Sequence, residues 1–570
     1  MGKYKFFFIF LLLLLIILLL HFSLKTPSII KTTSYSNSKY GGTLIASTSS
    51  SPKSFNPIIA EETSTTLITG FIFEGLTTID PRTFQIKPDL AKSWQHNSSG
   101  KIWIFHLRKN VFWNDGIPFT ANDVVFTFND LIYNPDIPTS SRDIFTIEGK
   151  KIIVKKINRY TVEFILPHRF APFLKSLSQS ILPEHILLKY VKENRFNFSL
   201  GLNSKPSQVV GTGPFMLDKF KPGEWVILKR NPYYWKKNKH GGRLPYLNKI
   251  VFLIIPDENM AILKFERGEI DIIGLTPENY LILKNSTFKG EKFYNLGPSL
   301  SSEFIAFNQN INSPIHKYKI KWFRNKWFRR AIAYAINRKD IIKDIYAGYG
   351  TALYGPLDQS VPQFYNPDIT KYHYSLTEAK KCLYKGGFRY EGNGLLYDSH
   401  GHQVHFSLLT NSNDNERIEE GTLIINSLEK LGMKVNFLPV EFNSLVTRLD
   451  GTKDWEAIII GLTGDIDPYS GQNVWLTNGQ LHFWNSSSKQ SAYPWEIKID
   501  DILEKADREM HIKKRQALYY EWQKIVSNKV PLIFTAVPSV IYAINNKFTG
   551  FHPTVYGGLF YYIEKVHKNT

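Results

Sequence analysis

The sequence has almost no cysteine: Cys382 stands alone among 570 residues. A single thiol makes no intramolecular disulfide and leaves no paired cysteines for a structural zinc site, so neither device holds this fold. The signatures of several common chemistries are also missing. There is no Gly-x-Ser-x-Gly elbow, no His-Glu-x-x-His helix and no Gly-x4-Gly-Lys-Ser/Thr phosphate loop, which removes the usual marks of serine hydrolases, zinc peptidases and P-loop enzymes. Gly211-Thr212-Gly213 lacks the third glycine of a dinucleotide fingerprint and reads as a tight turn. Ser-x-x-Lys does occur, at Ser28–Lys31, Ser50–Lys53 and Ser486–Lys489, but such copies arise easily in a Lys- and Ser-rich chain and mean nothing catalytic without partner motifs. The chain is read as a non-enzyme with no cofactor. Acidic residues are outnumbered, 50 against 70 basic ones, for a net charge of +20. The lysines and arginines are scattered along the whole length, so the imbalance reads as a generally basic surface rather than a nucleic-acid site.

What is present begins at the amino terminus. Lys3 and Lys5 precede an unbroken apolar run of 15 residues, Phe6 to Leu20, and the next charge comes only at Lys25. A run apolar all round is not a surface helix of a globular core. Its length suits a signal-peptide core, and the stretch to Leu24 is long enough to span a membrane. Positive charge on the short leading side keeps that end in the cytoplasm and sends the rest of the chain outside. Residues 1–24 are therefore a signal or anchor segment, and the protein is expected to be exported and periplasmic or otherwise extracytoplasmic. Cleavage near Ser36-Asn37-Ser38 and retention as a tether are both open. No cysteine stands directly after the apolar core, so lipid anchoring there is excluded. Residues 25–40, rich in Ser, Thr and Lys, read as a linker.

At this length, with 43% apolar residues, several domains are expected. Ile102, Trp103, Ile104 and Phe105 form a strand pattern, followed by a turn at Asn114-Asp115-Gly116. Thr120 and Asp123 have the spacing of a capping box, with Val124, Val125, Phe128, Leu131 and Ile132 as the apolar stripe of the helix. Phe328, Ile332, Ala335, Ile342 and Ile345 recur at helical spacing up to Gly348; Ser375 and Glu378 cap a helix ending at Gly386-Gly387. Leu503, Ala506, Met510, Leu518, Trp522 and Ile525 predict one long helix. Between these lie β-rich runs at 404–409, 435–440 and 457–460, and the alternation predicts α/β layers with substantially parallel sheets.

The segment Phe105-His-Leu-Arg-Lys-Asn-Val-Phe-Trp-Asn-Asp-Gly-Ile-Pro-Phe-Thr-Ala-Asn-Asp-Val-Val-Phe-Thr-Phe128 resembles the signature region of family 5 extracellular solute-binding proteins. Other stretches agree in order: Gly41-Gly42-Thr43-Leu44, Phe73-Glu74-Gly75-Leu76-Thr77, Gly211-Thr212-Gly213-Pro214-Phe215, Phe328-Arg329-Arg330-Ala331-Ile332-Ala333-Tyr334-Ala335 and Pro531-Leu532-Ile533. The resemblance runs from about Gly41 to the carboxyl terminus. It implies an α/β, periplasmic-binding-protein-like two-lobed clamp with a third, smaller domain and mixed sheets. Domain I would comprise residues 41–85, 207–305 and 530–570, domain II 86–206 and domain III 306–529. The chain would cross between lobes near Phe307-Asn308-Gln309 and near Pro531. The implied role is the substrate-binding component of an ABC importer, a monomer that captures peptides and delivers them to a membrane permease; the alternatives are another small solute such as a metal chelate or sugar on the same fold and, after it, an exported hydrolase.

The residues themselves offer one site candidate. Ala457 to Ile460 reads as a buried strand, and the segment Gly461 to Pro468 lies at its carboxyl end, where open α/β sheets place ligands. Thr463, Gly464, Asp465 and Asp467 are in this loop. By the resemblance, Asp465 stands where peptide-binding members hold the ligand's α-ammonium, with Asp467 as the alternative; Leu462 replaces a tryptophan found in some oligopeptide binders. Asn308, Gln309, Ser49 and Ser50 are candidate partners for a ligand main chain. His400, His402 and His405 suggest a metal set, but in a strand His402 and His405 point to opposite faces, so no metal site is assigned. The basic stretch Lys317 to Arg330, with Trp322, Phe323, Trp327 and Phe328, reads as a helix with core aromatics and a solvated charged face, not a nucleic-acid site.

Overall fold

The capping signals read from the sequence are all in place in the computed structural model, which describes residues 39–569 apart from 61, 287–289, 480 and 486–491. The signal or anchor segment 1–24, nearly all of the linker 25–40 and Ser486–Lys489 lie outside the described residues. Among the described residues, no helix is long and apolar enough to cross a membrane. Thr120 receives the Asn122 amide at 3.2 Å while its own amide donates to Asp123 at 2.8 Å, starting the helix Ala121–Phe126. Ser375 likewise caps Leu376–Lys385, which stops at Gly386 with Gly387 at φ +84°.

Three larger sheets organise the described residues. An eight-stranded mixed sheet runs Phe215–Lys221, Trp225–Arg230, Lys249–Ile254, Thr43–Thr48, Ile272–Leu275, Ala536–Asn545 and Glu291–Pro298, with Gly350–Ala352 added against the start of Ala536–Asn545. A four-stranded antiparallel sheet, Ala91–His96, Ile102–Leu107, Thr161–Ile165 and Ile153–Asn158, shares one core with it. These make the first lobe. The second lobe is built on a five-stranded sheet ordered Lys434–Val440, His405–Asn411, Ala457–Leu462, Ser302–Phe307 and Leu532–Phe534. Its first three strands are parallel and the last two pairings antiparallel, so the sheets are mixed rather than substantially parallel. In Ser302–Phe307, Phe304 and Ala306 pack on one face and Ile305 and Phe307 on the other, which is why this strand reads as a continuous apolar run.

The two lobes are joined where Glu291–Pro298 leads into Ser302–Phe307 and where Leu532–Phe534 leads into Ala536–Asn545. The crossings are thus Ser299–Ser301 and Thr535, not Phe307–Gln309 and Pro531, because Phe304 to Phe307 are sealed inside the five-stranded sheet. The crossings lie side by side: the Thr535 amide donates to the Glu303 carbonyl and the Ser299 amide to the Pro538 carbonyl, both at 3.0 Å.

Two helices differ from expectation. The stripe Phe328 to Ile345 is divided into Lys326–Ala335 and a second segment from Arg338, whose buried guanidinium donates to the carbonyls of Leu353 at 2.8 Å and Phe534 at 2.6 Å. The long carboxyl-terminal helix is two, Pro494–Arg508 and Ile512–Lys529, with the His511 amide bonded to the Glu509 carboxylate at 2.7 Å in the break. Trp322, Phe323 and Phe328 are core residues as expected.

Candidate functional site

The buried strand Ala457–Leu462 delivers the loop that follows to the boundary between the lobes. Its path is set by close approach: a Cβ on Gly464 would collide with the Leu300 carbonyl, in the first crossing, and one on Gly461 with the Glu303 carboxylate. Thr463 is exposed, and Gly464 and Asp465 are half-buried.

Asp465 meets a cation from the other lobe. Its Oδ2 accepts from Lys175 Nζ, and from the Ser470 hydroxyl at 2.6 Å; its Oδ1 accepts from the Ile466 amide at 2.6 Å. Lys175 Nζ also donates to Ser470 Oγ at 2.8 Å. Lys175 stands on the short helix Phe173–Ser176, which Phe173 roots in the first-lobe core against Trp103 at 5.4 Å and Phe164 at 5.5 Å. A third segment contributes Tyr556: burial first, and then the charge of Asp465, hold its phenol above the ordinary range.

Asp467 has a different environment. Both of its oxygens are gripped by Arg515, at 2.6 and 2.9 Å, and Oδ1 also caps the turn Pro468–Gly471 through the Tyr469 amide at 3.0 Å. Burial alone would raise this carboxyl, and the Arg515 guanidinium more than reverses that, holding it below its usual value. Two residues apart, the aspartates therefore do different work: Asp467 shapes the loop while Asp465 faces the lobe boundary.

Around this pair the lobes touch along a line. Phe170 lies edge-on to Tyr469 at 5.0 Å, the Ala171 amide donates to the Asp507 carbonyl at 2.6 Å, and Arg508 pairs with Glu148. Gln472 Nε2 donates to both oxygens of Asp507 at 2.6 Å, yet burial still pushes that carboxyl up to about 7.

The other sequence candidates are placed elsewhere. Asn308 is fully buried, donating to Ser313 Oγ at 3.1 Å and to the carbonyls of Lys453 and Trp455 at 3.1 and 2.9 Å. Gln309 is buried beside it, under the Tyr493 hydroxyl at 3.4 Å. Both are internal to the second lobe. Ser49 and Ser50 are exposed just past Thr43–Thr48, where neighbouring Ser51 receives the Gly223 amide at 2.9 Å. His402 stacks on Tyr318 at 4.4 Å with Nδ1 3.0 Å from Asp398, whereas His405 faces the Gln403 carbonyl at 3.1 Å. Lys175, Ser470 and Tyr556 escaped sequence reading; Lys175 lies 290 residues from its partner and carries no local motif.

Two further features bear on the site. Carboxylates gather where the helix Glu258–Glu266 of the first lobe approaches Asn415–Glu429 of the second: burial first, then the charges of Asp414, Glu258 and Glu303, push Glu416 up to about 7. A cavity of about 950 Å³ is lined by first-lobe residues including Phe73, Arg108, Trp235 and Tyr561. In its wall Lys236 bridges Glu74 at 3.2 Å and Asp89 at 2.9 Å.

Residues 85–482 match the family model described as bacterial extracellular solute-binding proteins, family 5 Middle. The chain belongs to this family. A similar protein is the probable ABC transporter-binding protein of Deinococcus radiodurans, 29% identical over 535 residues, covering 90% of this chain and 89% of that one. Another is the oligopeptide-binding protein AppA of Bacillus subtilis, 27% identical over 541 residues with 90% of both chains covered. The solved structure of Bacillus subtilis AppA in complex with a nonapeptide superposes with a TM-score of 0.73 at 24% identity, covering 94% of this chain and 100% of that one. At that identity the match speaks for the fold alone.

Proposed function

We propose that this family 5 protein is the substrate-binding component of an ABC importer, acting as an extracytoplasmic monomer that holds a peptide between its lobes and presents it to a membrane permease. The observation that carries this reading is the line of contacts around Asp465, where a loop anchored on one crossing meets the opposite lobe. A clamp of this kind needs only that the solute bind the closed state better than the open one, and paired strand crossings are the sort of joint about which such domains close. Extended peptides suit it because their main chain is recognised irrespective of sequence. The relatives named for peptides and for ABC transport favour this solute class. No catalytic step is part of the reading: a captured peptide leaves unchanged.

Mass spectrometry of small molecules released when the purified protein is denatured tests the proposal directly. Peptides, recovered intact after prolonged incubation, are the expected cargo. Recovery of sugars or metal chelates in their place would replace the peptide reading, and cleaved peptides would overturn the non-catalytic one.

A further inference from the structure

The partner that Asp465 already has bears on what the closed site accepts. Lys175 approaches from the first lobe and Asp465 from the second, and Ser470 bonds to both members of the pair. Each oxygen of Asp465 has a donor from within the protein, Lys175 and Ser470 on Oδ2 and the Ile466 amide on Oδ1. With side chains only 16% and 28% exposed, the pair is partly desolvated, and a second cation brought to the same carboxylate would face a like charge at contact distance with less water than at a free surface to screen it. Lys175 is not free to swing away at no cost. Its helix is rooted by buried Phe173, and the residues just before it make the Phe170–Tyr469 and Ala171–Asp507 contacts across the same boundary.

Building on the peptide reading above, we propose that Lys175 is a built-in counter-ion for Asp465. It takes the place that a ligand's free amino terminus would take, latches the lobes in the absence of solute, and directs the site toward solutes whose end at this position bears no ammonium, such as N-acylated peptides. Lys175 thus determines specificity by occupying the anchor rather than by touching a ligand side chain.

The experiment has two readouts on the full-length protein. Hydrogen exchange of the Ala171 amide, which donates across the lobes to Asp507, reports the latch without any ligand. Calorimetric titration with tetra-alanine and N-acetyl-tetra-alanine reports selection. Lys175→Met, which keeps the stem and removes the charge, should speed exchange at Ala171, and the swap Lys175→Asp with Asp465→Lys should slow it again. The unaltered protein should bind the acetylated peptide at least about tenfold more tightly than the free one, a difference of about 1.4 kcal/mol, and Lys175→Met should reverse that order. Unchanged exchange in Lys175→Met, or preference of the unaltered protein for the free peptide, would overturn the proposal while leaving peptide binding intact. Should neither peptide bind any variant while exchange follows the expected series, the latch stands and the peptide reading falls.

Discussion

Arg515 holds Asp467 end-on, with Nη1 on one carboxylate oxygen at 2.6 Å and Nη2 on the other at 2.9 Å, and both side chains are buried. The same guanidinium donates to the Ala506 carbonyl at 3.0 Å, so one residue of Ile512–Lys529 ties the loop of Asp467 to the last turn of Pro494–Arg508. Removing one partner of a buried pair strands the other charge, whereas replacing both with apolar groups can be nearly neutral. Asp467→Asn and Arg515→Met should each cost about 3–5 kcal/mol of stability, and the double variant Asp467→Leu/Arg515→Met clearly less than the two losses added. Urea unfolding of the four proteins decides this; a near-neutral Asp467→Asn would show that the pair does not hold the loop.

Gly464→Ala is expected to act on the crossing rather than on the core. The added methyl has no room beside the Leu300 carbonyl, and backbone does not yield as a flexible side chain does. A loss of about 1–3 kcal/mol, as for overpacking elsewhere, should be accompanied by faster amide exchange around Ser299–Ser301 and weaker solute binding. Wild-type binding by this variant would mean that the loop reaches its place without that close approach.

Stability should fall as pH rises from about 4.5 to about 8. Glu420 is buried, and burial followed by the charge of Glu303 pushes its carboxyl from 4.5 up to about 8; Glu416 is pushed up to about 7. Carboxyls raised in the folded state bind more protons there than in the unfolded chain, so their contribution is full below the unfolded pKa and is lost as pH climbs through the folded one. Glu420→Gln should therefore change little near pH 4.5 and gain at least about 1 kcal/mol above pH 8, one pKa unit being worth about 1.4 kcal/mol. Thermal unfolding across pH, read for both proteins, checks the slope, and parallel curves would refute it.

How much of this was legible in advance follows from the reach of each interaction. The Thr120–Asp123 and Ser375–Glu378 caps and the turn with Gly116 at φ +90° span a few residues, and their chemistry is written in adjacent letters. The helix breaks at Ile336–Asn337 and Glu509–His511 were not, because an apolar stripe keeps its spacing on either side of a break that is fixed by distant carbonyls and a single carboxylate. Asn308 and Gln309 follow directly on the strand Ser302–Phe307, yet the carbonyls of Lys453 and Trp455 and the Tyr493 hydroxyl cover them. The loop that carries Asp465 was legible from its place after a buried strand; Lys175, 290 residues away, had no sequence mark.

At the amino terminus, the apolar run Phe6 to Leu24 without a following cysteine predicts a protein free of lipid modification. Intact-mass measurement of the membrane fraction should find the chain, cleaved or uncleaved, without a diacylglycerol adduct. Detection of that adduct would reverse the expectation.

The two crossings lie side by side, Thr535 bonded to Glu303 and Ser299 to Pro538, so a turn of one lobe on the other would run about both at once, like the leaves of a single knuckle joint. A body turning about one line sweeps little near that line and much far from it. Solutes of different length wedged at different depths would then leave the mouth at different angles, and a membrane partner sensitive to that angle would be gauging cargo size without ever touching the cargo.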